Sequence, residues 1–156
     1  MVDDFEGLAS LWHQGWHDAH AKIVSAQMRE VRTPQNFRER VEGGYRDMKV
    51  IGGIGAPKGF HILKQNELAH LYVDRHARGT GVAAELLRDA EGQIADAGFA
   101  TAWLACAVGN DRAGQFYEKY GWLRKQTTVI QIETPIGSMP LEVWRYEKNL
   151  ADAPKS

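Results

Sequence analysis

Three of the six histidines fall in one short stretch, Leu11-Trp12-His13-Gln14-Gly15-Trp16-His17-Asp18-Ala19-His20. His13, His17 and His20 are spaced i, i+4 and i+7, so on a helix all three project from one side. Imidazoles ligate zinc, and a zinc-bound water can do chemistry. Consecutive turns of one helix, however, rarely let three side chains converge tetrahedrally, and no carboxylate at matching spacing completes the set, Asp18 pointing elsewhere. The expectation is no metal. The histidines are placed on a side of the helix away from Leu11, Trp12 and Trp16, whose tryptophans are core.

A second stretch could hold a phosphate. It reads Leu71-Tyr72-Val73-Asp74-Arg75-His76-Ala77-Arg78-Gly79-Thr80-Gly81-Val82-Ala83-Ala84: an apolar strand, a basic glycine turn, the start of a helix. Glycines let backbone N–H groups converge on a ligand without side chains in the way. The helix N-terminus adds partial positive charge, and Arg75 and Arg78 add full charges, which is what a pyrophosphate needs. A bland helix-capping turn explains two glycines as well. The run from Gly79 to Ala84 also fits G-x-G-x-x-A, the dinucleotide fingerprint. That fold wants an acidic residue at the end of the next strand, yet Ala105-Cys106-Ala107-Val108-Gly109 has no acid until Asp111.

These residues need elements to carry them. Asp3 or Asp4 can cap a helix with Leu8, Leu11, Trp12, Trp16, Ala19 and Ile23 on one stripe. Thr33-Pro34 is a cap with proline in the first turn, and the helix it starts uses Phe37 and Val41 and stops at Gly43-Gly44. Residues 48–54, 60–64 and 67–73 read as three strands of a meander, with turns at 56–59 and 65–66. Residues 81–97 read as a helix with Val82, Leu86, Ala90 and Ile94 at helical spacing and Gly98 as its stop. A strand follows at 99–108, then a short helix capped by Asn110 or Asp111 and ending at Gly121. Two late strands lie near 129–133 and 141–146. The fold class is mixed α/β: an antiparallel N-terminal meander plus one strand–helix–strand crossover.

The totals fit one domain over residues 1–156, with 44% hydrophobic and 25% charged residues and a net charge of -1. That balance gives no reason to expect nucleic acid or an anionic membrane as partner. Arg29, Arg32, Arg38, Arg40, Arg46 and Lys49 look basic together, but Glu30, Glu39, Glu42 and Asp47 are interleaved, so a solvated mixed face is expected. The single cysteine, Cys106, excludes an intrachain disulfide and a CxxC motif. No secretory signal and no apolar run of about 18 residues is visible, so a cytoplasmic location is expected.

Downstream stands Asn110-Asp111-Arg112-Ala113-Gly114-Gln115-Phe116-Tyr117-Glu118-Lys119-Tyr120-Gly121-Trp122. With His76-Ala77-Arg78-Gly79-Thr80-Gly81 it closely resembles the GNAT superfamily of acetyl-CoA-dependent N-acetyltransferases. Those enzymes carry a Q/R-x-x-G-x-G/A loop after their fourth strand and an N-x-x-A-x-x-F-Y-x-x-x-G-F segment after their fifth. His76 stands where the family has Gln or Arg, and Trp122 where it has Phe. The order of elements matches from about residue 5 to residue 148, but only Met1 to Asp4 remain for the family's first strand.

The resemblance implies transfer of an acetyl group from acetyl-CoA, as co-substrate, to a primary amine by direct attack in a ternary complex. Arg78, Gly79, Thr80, Gly81, Val82 and Ala83 would hold the diphosphate. Leu71, Tyr72 and Val73 would pair with the pantetheine arm, and a backbone N–H of that strand would face the developing oxyanion. Asn110 matches the family's asparagine near the pantetheine, and Tyr117 its tyrosine that protonates the sulfur. Tyr117 can also be a core aromatic beside Phe116. Glu67, six residues before Val73, matches the catalytic glutamate of the histone-type members. It can equally be a polar residue opening a strand, and His70 is the weaker candidate for the base. Cys106 is a small buried residue. The family's first two helices flank the acceptor groove, so some of Trp12, Trp16, His17 and His20 are expected to shape that pocket. No metal is implied, and a homodimer is common in the family. A different acyl group or acceptor, or a non-catalytic acyl-CoA sensor, remains the alternative. A small-molecule amine and a protein amine are both open as acceptors.

Overall fold

The computed structural model describes residues 5–53 and 55–150. Six strands form one sheet in the order β1-β2-β3-β4-β6-β5. β1 (Met48–Gly53), β2 (Ala56–Lys64) and β3 (Glu67–Val73) are the expected antiparallel meander. β4 (Thr101–Ala107) returns parallel to β3 after the crossover helix α4 (Val82–Asp96). β5 (Leu123–Thr134) and β6 (Gly137–Asn149) make a long antiparallel hairpin, and β6 pairs with β4. Both late strands are longer than their apolar cores suggested. Residues 123–127 of β5 are all exposed, so period-2 burial marks only its second half, from Thr128 to Thr134.

Alternation along the central strands divides the molecule into two apolar layers. Phe60 and Ile62 of β2 face α1 (Phe5–His20) and α3 (Pro34–Gly44), where Leu8, Leu11, Trp12, Trp16, Phe37 and Val41 are buried. On the opposite face, Leu71 and Val73 pack with Ala77, Val82 and Leu86, next to the core that α4 builds with Leu104, Cys106, Trp122 and Tyr146. The Trp122 indole N–H, absent from the family's phenylalanine, donates to the buried Glu91 at 3.0 Å, and Lys148 pairs with the same carboxylate at 2.9 Å.

Thr33 caps α3 as expected, its side chain accepting from Asn36 N–H at 3.0 Å. Four local expectations need correction. Residues 56–59, read as a turn, are the start of β2 and pair with β1. α1 ends at His20, so Ile23 lies beyond the helix. A short helix absent from the sequence reading, α2 (Ala26–Val31), starts at Ser25, whose hydroxyl accepts from Met28 N–H at 3.1 Å. α3 runs through Gly44 into a 3-10 turn at Tyr45–Asp47 and does not stop at the glycine pair. The cap at Asp3 or Asp4 and any first strand over Met1 to Asp4 lie outside the described residues. So does Ile54, the expected last residue of β1. No helix among the described residues is long and apolar enough to cross a membrane.

Candidate active site

β3 and β4 pair at a single position, Glu67 with Trp103. Trp103 N–H also donates to Asn66 O at 3.1 Å, and the Asn66 side-chain amide to Thr101 O at 3.0 Å. Past this closed end the strands part, and a cleft of about 150 Å³ opens between residues 68–73 and 104–107. Antiparallel pairing fixes what β3 offers it. Asp74 N–H donates to Lys58 O at 2.8 Å, so Tyr72 and His70, two and four residues back, also turn their backbone groups toward β2. Leu71 and Val73 are left with N–H and C=O facing the gap. A split in the sheet thus exposes two sets of backbone groups that a continuous sheet would have used.

α5 (Asp111–Lys119) closes one wall with Asn110, Arg112, Ala113 and Tyr117, beside Cys106 of β4. Asn110 caps that helix, its side-chain oxygen accepting from Ala113 N–H at 3.5 Å. The Tyr117 ring packs on Phe116 and Trp122, at 5.4 and 6.1 Å between centroids, so it is a packed aromatic and a cleft residue at once. Desolvation, and secondarily the neighbouring Cys106 and Tyr72, push its phenol well above the usual value, so it keeps its proton. Desolvation also raises the Cys106 thiol to about 12, and its weak Sγ contacts are with Ala107 O and Asn110 O. A thiol so held is no nucleophile.

α1 closes the other wall with Gly15, Ala19 and His20. A Cβ at Gly15 would stand 2.8 Å from Tyr72 Cδ1, so this mid-helix glycine lets the helix lie on the Tyr72 ring. The histidines are not set apart from the tryptophans as the sequence suggested. His17 and His20 each contact the Trp16 ring at 5.0 Å, and His13 stacks on His17 and Phe37. His17 Nε2 donates to Arg32 O at 2.8 Å and His20 Nδ1 to Trp16 O at 3.0 Å. A carbonyl only accepts, so neutral His20 carries its proton on Nδ1 and a lone pair on Nε2. Desolvation, then the charges of Arg32 and Arg40, take His20 down to about 4. Desolvation with Arg40 takes His70 to about 3. No group of three His, Cys, Asp or Glu among the described residues could hold a metal ion.

At the mouth lie Arg78 and Arg112. Asp18 points away from the histidines, as expected: it takes Arg75 at 2.8 Å and Arg78 at 3.1 Å, tying α1 to the glycine turn. Gly79 and Gly81 hold φ of +79° and +90°, left-handed values that favour glycine. Gly81 opens α4 with no side-chain cap, so the first N–H groups of a 15-residue helix have no side-chain acceptor. Such an end is an anion seat.

Of the expected site residues, Leu71, Tyr72, Val73, Arg78, Asn110 and Tyr117 line the cleft. Gly79, Thr80, Gly81, Val82 and Ala83 form the turn and helix start just beyond Arg78, outside the lining. Glu67 sits at the closed end, also outside it, with its carboxyl raised by desolvation against the pull of Lys64 and Arg145. Sequence reasoning missed Arg112, whose position in the first turn of α5 was the available signal. It also missed Arg32 and Arg40. Arg38 does sit on the expected mixed face, paired with Glu42 and Glu6. Arg32, in contrast, is 4% exposed, and Arg40 folds over the Trp12 ring at 4.3 Å.

The sequence model of the acetyltransferase (GNAT) family matches residues 6–122. No curated protein matches the chain. Solved structures share its fold. The GCN5-related N-acetyltransferase (aminotransferase, class-II) from Rhodopseudomonas palustris is 20% identical, with a TM-score of 0.71 over 96% of this chain and 91% of its own. The PaiA N-acetyltransferase from Thermoplasma acidophilum, in complex with coenzyme A, is 19% identical, with a TM-score of 0.66 over 95% and 94%. YncA from Salmonella typhimurium, with its cofactor acetyl-CoA, is 12% identical, with a TM-score of 0.65 over 98% and 92%.

Proposed function

The chain belongs to the acetyltransferase (GNAT) family, and from that premise we propose that it moves an acetyl group from acetyl-CoA to a primary amine by direct attack in a ternary complex. The carrying observation is the split between β3 and β4, with unpaired backbone groups on one edge and a protonated tyrosine on the opposite wall. The residues present fit the co-substrate. The uncapped start of α4, with Arg78 and Arg112 beside it, suits the diphosphate. Leu71 and Val73 suit the amide groups of a pantetheine arm, with Asn110 alongside.

The chemistry follows from those positions. The amine nitrogen forms a bond to the thioester carbonyl carbon, the carbon–sulfur bond breaks, and the amine loses a proton. A backbone N–H of β3 stabilises the oxyanion in between, and being fixed by the sheet it needs no reorganisation. Tyr117 gives its proton to the departing thiolate. A phenol raised by desolvation is a reluctant donor in water, but the thiolate leaves into the same poorly solvated space. Cys106 lines the same space, where desolvation raises its thiol to about 12, so a thiolate there is a strong base and the transfer is better matched.

An alkylamine with a pKa of about 10.4 must shed a proton before it attacks. Glu67 is the proposed base; from the closed end it would work through a water. His20 is the second candidate, because it lines the cleft, is neutral and has Nε2 unprotonated. The pH profile of kcat/KM separates them. If Glu67→Gln keeps the acidic limb and His20→Gln loses it, His20 is the base.

The proposal is tested by thermal stabilisation with acetyl-CoA, CoA, NAD and zinc in parallel. A ligand at 100 times its Kd adds about 2.7 kcal/mol. Stabilisation by acetyl-CoA and CoA, followed by amine-dependent thiol release, is the expected result. Stabilisation without release from any amine would make the chain a sensor and not a transferase. Proposed with this reading are a single domain, a small-molecule or protein amine as acceptor, a cytoplasmic location, and a homodimer.

A further inference from the structure

Arg32 and Arg40 have no part in acetyl transfer as described and do not line the cleft, yet their charges act on His20, His70 and Tyr72, which do. Arg32, 4% exposed, donates from Nη1 to Asn36 Oδ1 at 3.1 Å and from Nη2 to Glu133 O at 3.2 Å, while its Nε is buried without a partner. Arg40 lies over Trp12 at 4.3 Å and Phe37 at 5.1 Å, and its Nη1 is buried without a partner. The Trp12 indole N–H is a third buried donor with no acceptor. Neither arginine forms an ion pair with a carboxylate among the described residues, and each acts on the charges of Tyr72 and His70, which line the cleft.

Two guanidinium groups that repel each other, one buried and one half-buried, with no counter-charge among the described residues, are a standing cost to the fold. Cation–π contact with Trp12 offsets part of it and leaves the N–H groups unmet. Every unmet group is a donor, and the surrounding rings of Trp12, Trp16 and Phe37 supply no acceptor. An anion with two oxygens and several lone pairs is what the cluster lacks, and guanidinium groups match a carboxylate in geometry. We infer that the acceptor amine carries a carboxylate, bound by Arg32 and Arg40 beneath the Trp12 and Trp16 rings on the α1–α3 side of the cleft. The inference rests on the acetyl-transfer reading and narrows its acceptor to the class of amino acids and short acidic amines.

The test pairs each common amino acid with its α-carboxamide in the thiol-release assay on the full chain. The best acid should exceed its amide by about tenfold or more in kcat/KM, the size of one charge-assisted contact. In Arg40→Met that acid-to-amide ratio should fall toward one, and Arg40→Lys should keep part of it. A melting curve confirms that each variant folds. A structural role alone would lower acid and amide together and leave the ratio intact, which overturns the inference. So does wild-type turnover in which amides or polyamines equal or exceed the acids, although acetyl transfer then stands. Thiol release with no amine at all overturns both readings.

Discussion

The mouth of the cleft and the α1–α3 layer handle arginine in opposite ways. At the mouth, Arg75 and Arg78 are partly in water and share Asp18, a carboxylate that desolvation pushes up but these two arginines bring to a net value below the usual one. In the α1–α3 layer, Arg32 and Arg40 are desolvated, lack a carboxylate, and fall below the ordinary arginine value, Arg40 to about 10. A charge in water can wait for its ligand at little cost. A charge in an aromatic core cannot, and its presence there calls for a counter-charge from outside the described residues. The comparison teaches that the location of a cation says more about its purpose than its number in a cluster.

The largest expected effect concerns the histidines of the acceptor side. An unfolded imidazole titrates near 6.5, and the folded His20 and His70 near 4 and 3. Between those values the unfolded state holds more protons, so stability is full above pH 6.5 and is lost as the pH falls. Denaturant midpoints at pH 7 and pH 5 should differ by about 2 kcal/mol per histidine, and His70→Gln should remove its share. His13 is lowered too and adds in the same direction. A flat profile would break the contrast between the two regions.

Next in size is Tyr117→Phe, on the cofactor wall. It should lower kcat by about tenfold or more and leave acetyl-CoA affinity nearly unchanged, since one acid–base group is lost and no phosphate contact is. Unchanged turnover removes Tyr117 from the mechanism.

The arginines themselves come third. Without an acceptor, Arg40→Met should raise the unfolding free energy by about 1 kcal/mol, because a largely desolvated charge with no counter-charge is replaced by an apolar chain. Arg78→Met should stay within about 0.5 kcal/mol, as exposed substitutions do. A strongly destabilised Arg40→Met would mean that the fold itself satisfies this charge. The smallest effect is Asp18→Asn, which removes the carboxylate that competes with phosphate for Arg75 and Arg78. Acetyl-CoA affinity should rise by less than about fivefold, the reach of an exposed pair, in a titration at low salt.

Much of the cleft between β3 and β4 was legible before any coordinates. The glycine turn, the tyrosine and the asparagine lie on contiguous segments, so local sequence carries their placement around it. The meander, the crossover and the Thr33 cap were legible for the same reason: periodicity and turn chemistry are properties of neighbouring residues. The family followed from two motifs.

The α1–α3 layer was legible only in part: of Trp12, Trp16, His17 and His20, expected at a pocket, His20 lines the cleft and the other three do not. Arg32 and Arg40 read as members of a mixed-charge face, because Glu30, Glu39 and Glu42 accompany them along the chain. Only the packing of α1 on α3, with the β5–β6 hairpin supplying Glu133 O, turned these two inward and left Arg38 outside. The partners of Asp18 came only with the fold, which carried the glycine turn to it across 57 residues from Arg75 and 60 from Arg78. Sequence by itself determined the family, the strand–glycine turn–helix, and the tyrosine that lines the cleft. Tertiary structure alone decided which charges are desolvated and which are paired. Desolvation depends on every element that closes over a side chain, and no local pattern records that.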